Sequence, residues 1–245
     1  SASRQGRHQR MPPLLCAFGE ASILDFCRGN AYDKCNEGFM VARAEEKRER
    51  IRYSGKEGVA MSKEFAQKEA CIVPEGVFVI GTYDAAGVPN AMNAAWGSQS
   101  DYGEVTFYLA KHKTTENIKA TGAFTVAFAT KDTVEIADYF GVETGGRVNK
   151  MEKAGCHVHR SAHVNAPIIE EFPVTLECEV KSYDDETGIL VGRIVAEQAD
   201  EAVLTNGSVD YNKLQPIIFD ISTKTYLVIG PVVGRAFHDG LKLKK

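Results

Sequence analysis

The stretch Val77-Phe78-Val79-Ile80-Gly81-Thr82-Tyr83, followed by Asp84-Ala85-Ala86-Gly87 and then by Val88-Pro89-Asn90-Ala91-Met92-Asn93-Ala94-Ala95-Trp96-Gly97, decides the fold class. Its first seven residues are mostly β-branched or aromatic, the types that pack well on a pleated, half-buried surface. Asp84 to Gly87 supply the chemistry of a tight turn, so the two runs on either side predict a hairpin. Working outward, further strands fit residues 104–110, 123–130, 174–183, 189–197, 217–221 and 226–229. The clearest second hairpin turns through Asp184-Asp185-Glu186-Thr187-Gly188. So many short strands with short connections predict a mainly β chain of antiparallel strands, closed into a β-barrel so that pairing removes exposed edges.

Short helices adorn this barrel. They fit residues 114–121, 133–140 and 149–154, each introduced by a residue, Thr114, Thr133 or Asn149, able to cap a first turn. A doubly wound parallel sheet would instead alternate helices regularly with strands and carry a Gly-rich phosphate loop, and neither pattern is present. No internal repeat or low-complexity tract stands out.

The 245 residues are 44% hydrophobic and 25% charged, ordinary values for a globular protein with a real core. A net charge of -4 offers no broad basic field for nucleic acid. No run approaches the roughly twenty apolar residues of a membrane helix, and no signal-peptide pattern opens the chain; together these favour the cytoplasm. The six cysteines form no C-x-x-C pair, so free thiols are expected, with Cys178 a small buried hydrophobe in V-T-L-E-C-E-V.

Residues 1–60 differ from residues 61–245. The first part holds 8 Arg and 3 Lys against 8 acidic residues, the second 4 Arg and 14 Lys against 25 acidic residues. The first part shows no sustained period and does not read as a self-sufficient domain. Two readings stay open for it. Lys56-Glu57-Gly58-Val59-Ala60 before Met61 suggests sequence upstream of the natural start; the alternative is a genuine leader with a helical patch at A-R-A-E-E-K-R-E-R. Residues 61–245 then form one domain, opening on a short helical lead, S-K-E-F-A-Q-K-E-A.

Three segments depart from what a plain barrel needs. Asn90, Ala91, Met92, Asn93 and Ala94, with Trp96 beyond, combine small side chains that let a flat ligand approach and amides that answer its polar edge. A packed strand with a core Trp fits the same pattern. Lys111-His112-Lys113-Thr114-Thr115 at a strand-to-helix junction gathers cations, hydroxyls and helix N–H groups, as a phosphate requires, though a solvated basic turn would look alike. Asp138-Tyr139-Phe140-Gly141 leads into a glycine-rich loop with Arg147 and Lys150 that could close over an anionic ligand. Cys156, His157, His159 and His163 have spacings found in metal sites, but alternate residues of one strand rarely complete a tetrahedron, and surface histidines are the expectation.

Taken together with A-P-I-I-E-E-F-P-V-T-L-E-C and V-G-R-I, these segments resemble the flavoredoxin branch of the flavin reductase-like family over residues 74–237. The resemblance implies an FMN-binding split barrel of Greek-key antiparallel strands, usually a homodimer whose flavin groove is lined partly by the partner. By position it places Asn90 to Ala94 along the flavin ring with Trp96 nearby, and gives the phosphate to Thr114 with His112, Lys113 and Thr115. It puts Phe140 and Gly141 beside the cofactor, has Arg147 and Lys150 reach it from their loop, and brings Phe219 and Tyr226 toward the site. Two departures stand out. Asn93 replaces a common Thr, and Glu186-Thr187-Gly188 stands where many relatives carry a His associated with the nicotinamide side of the pocket.

The implied activity is flavin redox chemistry with NAD(P)H as donor, or electron carriage between FMN and a redox protein partner; a flavin-free binding barrel is the third reading. None requires a nucleophile or acid/base residue, in keeping with the absence of any Ser/His/Asp or paired-carboxylate pattern.

Overall fold

The computed structural model describes residues 75–244. The segment 1–60, the Met61 boundary and the helical lead after it lie outside the described residues. Residues up to Val232 belong to the larger of two units. Residues 233–244 fall in the other, where the structure shows a 3₁₀ turn at Asp239–Leu243.

The larger unit is mainly β. Its strands are β1 (Glu75–Gly76), β2 (Phe78–Tyr83), β3 (Pro89–Ala94), β4 (Gly97–Asp101), β5 (Glu104–Tyr108), β6 (Ala123–Phe128), β7 (Val158–Arg160), β8 (Pro167–Ile169), β9 (Val174–Tyr183), β10 (Ile189–Ala199), β11 (Leu204–Thr205), β12 (Ser208–Val209), β13 (Ile217–Asp220) and β14 (Thr225–Val228). Four helices accompany them: α1 (Lys113–Thr121), α2 (Val134–Val142), α3 (Lys150–Ala154) and α4 (Tyr211–Leu214). Seven strands form one antiparallel sheet in the order β3-β2-β6-β9-β10-β5-β4, and β1, β13 and β14 form a second. The placement of β2 beside β6 and of β5 beside β10 needs crossovers, as in the expected Greek key.

The large sheet curls into a half barrel and does not close through strand pairing: β3 and β4 are both edges. The fold is the expected mainly β split barrel with short helices, and only the full closure of its strands is corrected. Gly97–Asp101 carries polar, exposed residues with no apolar face to bury, so β4 pairs with β5 alone and leaves the edge of β3 open.

The two-residue period of the strands feeds two cores. Ile80 on β2, Phe124 and Val126 on β6 and Leu190 on β10 point into the barrel with Phe107, Ile118 and Cys178. Val79, Ala91 and Ala127 point the other way, where α2 and α3 cover them through Ala137, Phe140 and Met151. This double cover explains why β2 is buried on both faces from Val79 to Tyr83. Gly192 on β10 is a packing requirement: a Cβ there would sit 2.3 Å from the Phe124 ring.

Both expected hairpins form, by the same device. The Asp84 carboxylate accepts from the N–H groups of Ala86 and Val88, each at 2.9 Å, and the Asp184 carboxylate accepts from those of Glu186 and Thr187 at 2.8 and 2.9 Å. These bonds hold the Asp184 carboxyl below its usual range. Capping differs partly from expectation. Asn149 accepts from Glu152 N–H at the start of α3, but α1 opens one residue earlier than read, with His112 as its cap and Thr114 inside the helix.

Cys178 is fully buried, and burial with the neighbouring Glu177 and Glu197 pushes its thiol up to about 12, so it behaves as the expected small hydrophobe. His157, His159 and His163 are exposed; His157 pairs with Glu171 and His159 with Glu170.

Candidate functional site

The open edge of β3 borders a groove of about 910 Å³. Met92, Asn93, Ala94, Ala95 and Trp96 all line it, although successive side chains on a strand point to opposite faces. A cavity touched by consecutive residues must lie along the strand's edge, where main-chain N–H and C=O groups without a strand partner face outward. The opposite wall comes from Tyr108 to His112 and from the turn 185–188, which the register Ile189↔Tyr108 brings beside the end of β5. Asp138, Gly141 and Val142 of α2, with Phe219 and Tyr226 of the small sheet, complete it.

A smaller cavity of about 240 Å³ lies at the other end of β3, lined by Asn90, Lys113, Asn117 and the loop from Gly145 to Asn149. Lys113 and Arg147 give it two cations. Asn90 is 6% exposed and donates from Nδ2 to Thr114 Oγ1 at 2.8 Å, yet its buried Oδ1 has no partner. Leaving a buried acceptor unpaired costs about 1–3 kcal/mol. The loop fits closely over it: a Cβ on Gly145 would stand 1.9 Å from that oxygen.

Of the residues singled out from sequence, Met92, Asn93, Ala94, Trp96, His112, Gly141, Phe219 and Tyr226 line the groove, and Asn90, Lys113 and Arg147 line the small cavity. Five lie under these surfaces. Ala91 and Phe140 are core residues. Thr114 is spent on Asn90, and Thr115 Oγ1 accepts from His112 N–H at 2.9 Å while donating to His112 O at 2.7 Å. Lys150 corrects the picture of a loop cation reaching the ligand. It is 3% exposed, and its ammonium donates to the carbonyls of Phe140 and Glu143 at 2.8 and 2.9 Å, tying the C-terminal end of α2 to the start of α3. Burial lowers it to about 8, against an opposing pull from Glu143. A helix end has carbonyls to satisfy, and this lysine satisfies two of them.

Tyr108, Asp185 and Lys224 also line the groove without having been singled out from sequence as site residues, and Lys111, read with the basic junction, falls in the groove and not in the small cavity. Asp138 stands in the quoted third segment, three residues before Gly141 on α2, whereas the turn 185–188 comes beside Tyr108 only through the pairing of β10 with β5. Asp138 accepts from the Tyr226 hydroxyl at 2.7 Å, and Asn93 Nδ2 donates to Ala137 O at 2.9 Å, so strand, helix and small sheet are joined at the groove wall.

Comparison with known proteins agrees with this architecture. The profile of the flavin reductase like domain matches residues 70–216. An uncharacterized protein of Aquifex aeolicus (strain VF5) is 30% identical over 107 residues, which are 42% of this chain and 55% of that protein; the chain thus spans about half the length of that curated relative. Among solved structures, the flavoredoxin of Desulfovibrio vulgaris (Miyazaki F) is 30% identical with a TM-score of 0.70, over 74% of this chain and 100% of that one. The flavoredoxin of Methanosarcina acetivorans is 26% identical with a TM-score of 0.68, over 75% and 100% of the two chains.

Proposed function

The chain belongs to the flavin reductase like domain family, and from that premise we propose that it is an FMN-binding oxidoreductase whose flavin lies along the open edge of β3. The unpartnered Asn90 Oδ1, buried beside two cations at one end of the groove-bearing strand, is the observation that carries the reading. A flavin chain offers hydroxyl donors to that oxygen and a phosphate to Lys113 and Arg147, while its ring is flat enough for a groove floored by Asn93, Ala94 and Gly141. Thr114 takes part indirectly, by holding Asn90 in place.

FMN, when bound, supplies a ring that accepts a hydride or exchanges single electrons. The chain's own residues bind and orient. The main-chain groups along the β3 edge meet the polar rim of the ring, Trp96 and Tyr108 shield it, and Lys150 fixes the loop that covers the far end. Trp96, Tyr108 and Val142 are all more than half exposed beside the groove, apolar surface of the kind a second subunit covers in a homodimer.

NAD(P)H is the proposed electron donor. A second reading, a carrier reduced by a redox protein partner, is favoured by one feature: the groove wall at 186–188 reads Glu-Thr-Gly, without the His that the family resemblance led one to expect. The visible spectrum of the purified protein tests flavin binding, and anaerobic mixing with NADH and NADPH separates the two readings. Rapid bleaching supports the reductase; bleaching only by a reduced protein supports the carrier. A protein that stays colourless after FMN addition contradicts both. Among the described residues no helix is long and apolar enough to cross a membrane.

A further inference from the structure

We propose that the Asp138 carboxylate, clamped on the groove wall by the Tyr226 hydroxyl, is a positioning residue that sets how strongly the site disfavours the reduced, negatively charged form of a bound flavin ring. This rests on the flavin reading above and goes beyond it by assigning control of the redox potential to one pair of side chains.

The pair is built from distant parts of the chain. Asp138 lies on α2 and Tyr226 on β14, and their oxygens are 2.7 Å apart. Both line the groove together with Asn93 and Gly141. The backbone around Asp138 is fixed on both sides: Asn93 donates to the carbonyl of Ala137, and Phe140 is buried against Phe172. Tyr226 is held in turn by its tilted contact with Phe219, ring centroids 5.8 Å apart. The carboxylate therefore has a defined place beside the residues that floor the groove.

Lys111, His112 and Lys224 line the same groove, but none of the ion pairs among the described residues includes Asp138. Among the described residues its hydrogen-bond donor is a neutral phenol, that of Tyr226. Burial first, and then Asp138, push that phenol up to about 12, with Asn93 pulling the other way, so Tyr226 keeps its proton and goes on donating at neutral pH. A hydrogen bond from a neutral group fixes a carboxylate without neutralising it.

A ring that covers this wall displaces water from the carboxylate, and the charge then acts through a less screening medium. An extra negative charge on the ring is repelled, so the site binds the reduced ring less tightly than the same groove with a neutral group at this position. The sign follows: Asp138 lowers the potential and Asn at the same place raises it.

The test uses the full chain loaded with FMN, with midpoint potentials measured for the wild type, Asp138→Asn and Tyr226→Phe. In Asp138→Asn, binding of the reduced form relative to the oxidised form rises about tenfold, equal to about 30 mV for a two-electron couple. Tyr226→Phe retains the charge and shifts the potential less, or in the opposite direction. In the ligand-free protein, Asp138→Asn brings one tyrosine into titration at lower pH, seen in the ultraviolet absorbance of tyrosinate, which shows that the pair exists and the variant is folded. A ratio of reduced-form to oxidised-form binding changed less than twofold in Asp138→Asn, which is a shift under about 9 mV, or equal upward shifts in both variants, overturns the proposal while leaving FMN binding intact. A wild-type protein that takes up no FMN overturns the flavin reading itself.

Discussion

Two asparagines three residues apart on β3 meet opposite fates. Asn93 sits at the groove with its amide committed to Ala137 O and, through Tyr226, to the wall formed by α2 and β14. Asn90 sits in the small cavity with its Nδ2 committed to Thr114 and its Oδ1 committed to nothing. The first is a clasp between elements, and the second is a buried acceptor without a partner, which the proposed function assigns to the ligand. On the proposed function the same residue type serves the fold at one end of the strand and the ligand at the other, and substitution should separate the two roles.

The largest effect is expected at the cover of the small cavity. In Gly145→Ala the new methyl stands 1.9 Å from Asn90 Oδ1, and Asn90 cannot swing away without giving up Thr114. FMN affinity should fall by about 100-fold, or about 2.7 kcal/mol, measured by titration of flavin absorbance. An affinity within threefold of the wild type would show that the cavity is not used.

The next effect concerns the lysine that holds the same loop. The folded state lowers Lys150 to about 8 from the ordinary 10.5, so between those values the unfolded chain binds more protons than the native one. Stability from this group therefore rises as pH climbs from about 8 towards 10.5, and the penalty of its buried charge is full below 8. Relative to Lys150→Met, the wild type should gain about 2 kcal/mol across that window in urea unfolding. Parallel profiles for the two proteins would contradict the assignment.

A matched pair of alanine variants separates the two asparagines. Asn90→Ala should weaken FMN binding about tenfold with little loss of stability, because it removes an unpaired acceptor along with one good bond. Asn93→Ala should cost about 1–1.5 kcal/mol of stability by releasing Ala137 O and change affinity less. The reverse pattern in titration and denaturation would exchange the two roles.

The smallest effect is expected at Arg147. Its pairing with Glu143 is 3.5 Å long and solvent-exposed, so Arg147→Ala should change stability by no more than about 0.5 kcal/mol. FMN affinity should fall a few-fold and riboflavin affinity should not change, since only FMN has a phosphate for this cation to meet.

The strands were legible where burial is written as β-branched and aromatic runs. Val174–Tyr183 was read with its observed ends, and both Asp-led turns carried their own chemistry. β4 was not read as a strand, because its exposed residues have no apolar face and it is defined only by pairing with β5. The pairs β7–β8 and β11–β12 are only two or three residues long and too short to show a period. For the site, the three segments were visible, but their depth was not. Phe140 and Lys150 come from the same motifs as Gly141 and Arg147, yet helix rotation and the carbonyls at the end of α2 turn them inward. The turn 185–188 needed long-range pairing to reach the groove, and the Tyr226 partner of Asp138 came from a distant strand.

Parallel titration of the flavin-free protein with FMN and with riboflavin tests the central claim most directly. A ring held along β3 with its phosphate at Lys113 and Arg147 predicts saturation near one FMN per chain and at least tenfold weaker binding of riboflavin. Absence of FMN uptake would contradict the flavin site, and equal affinity for the two compounds would contradict the role given to the small basic cavity.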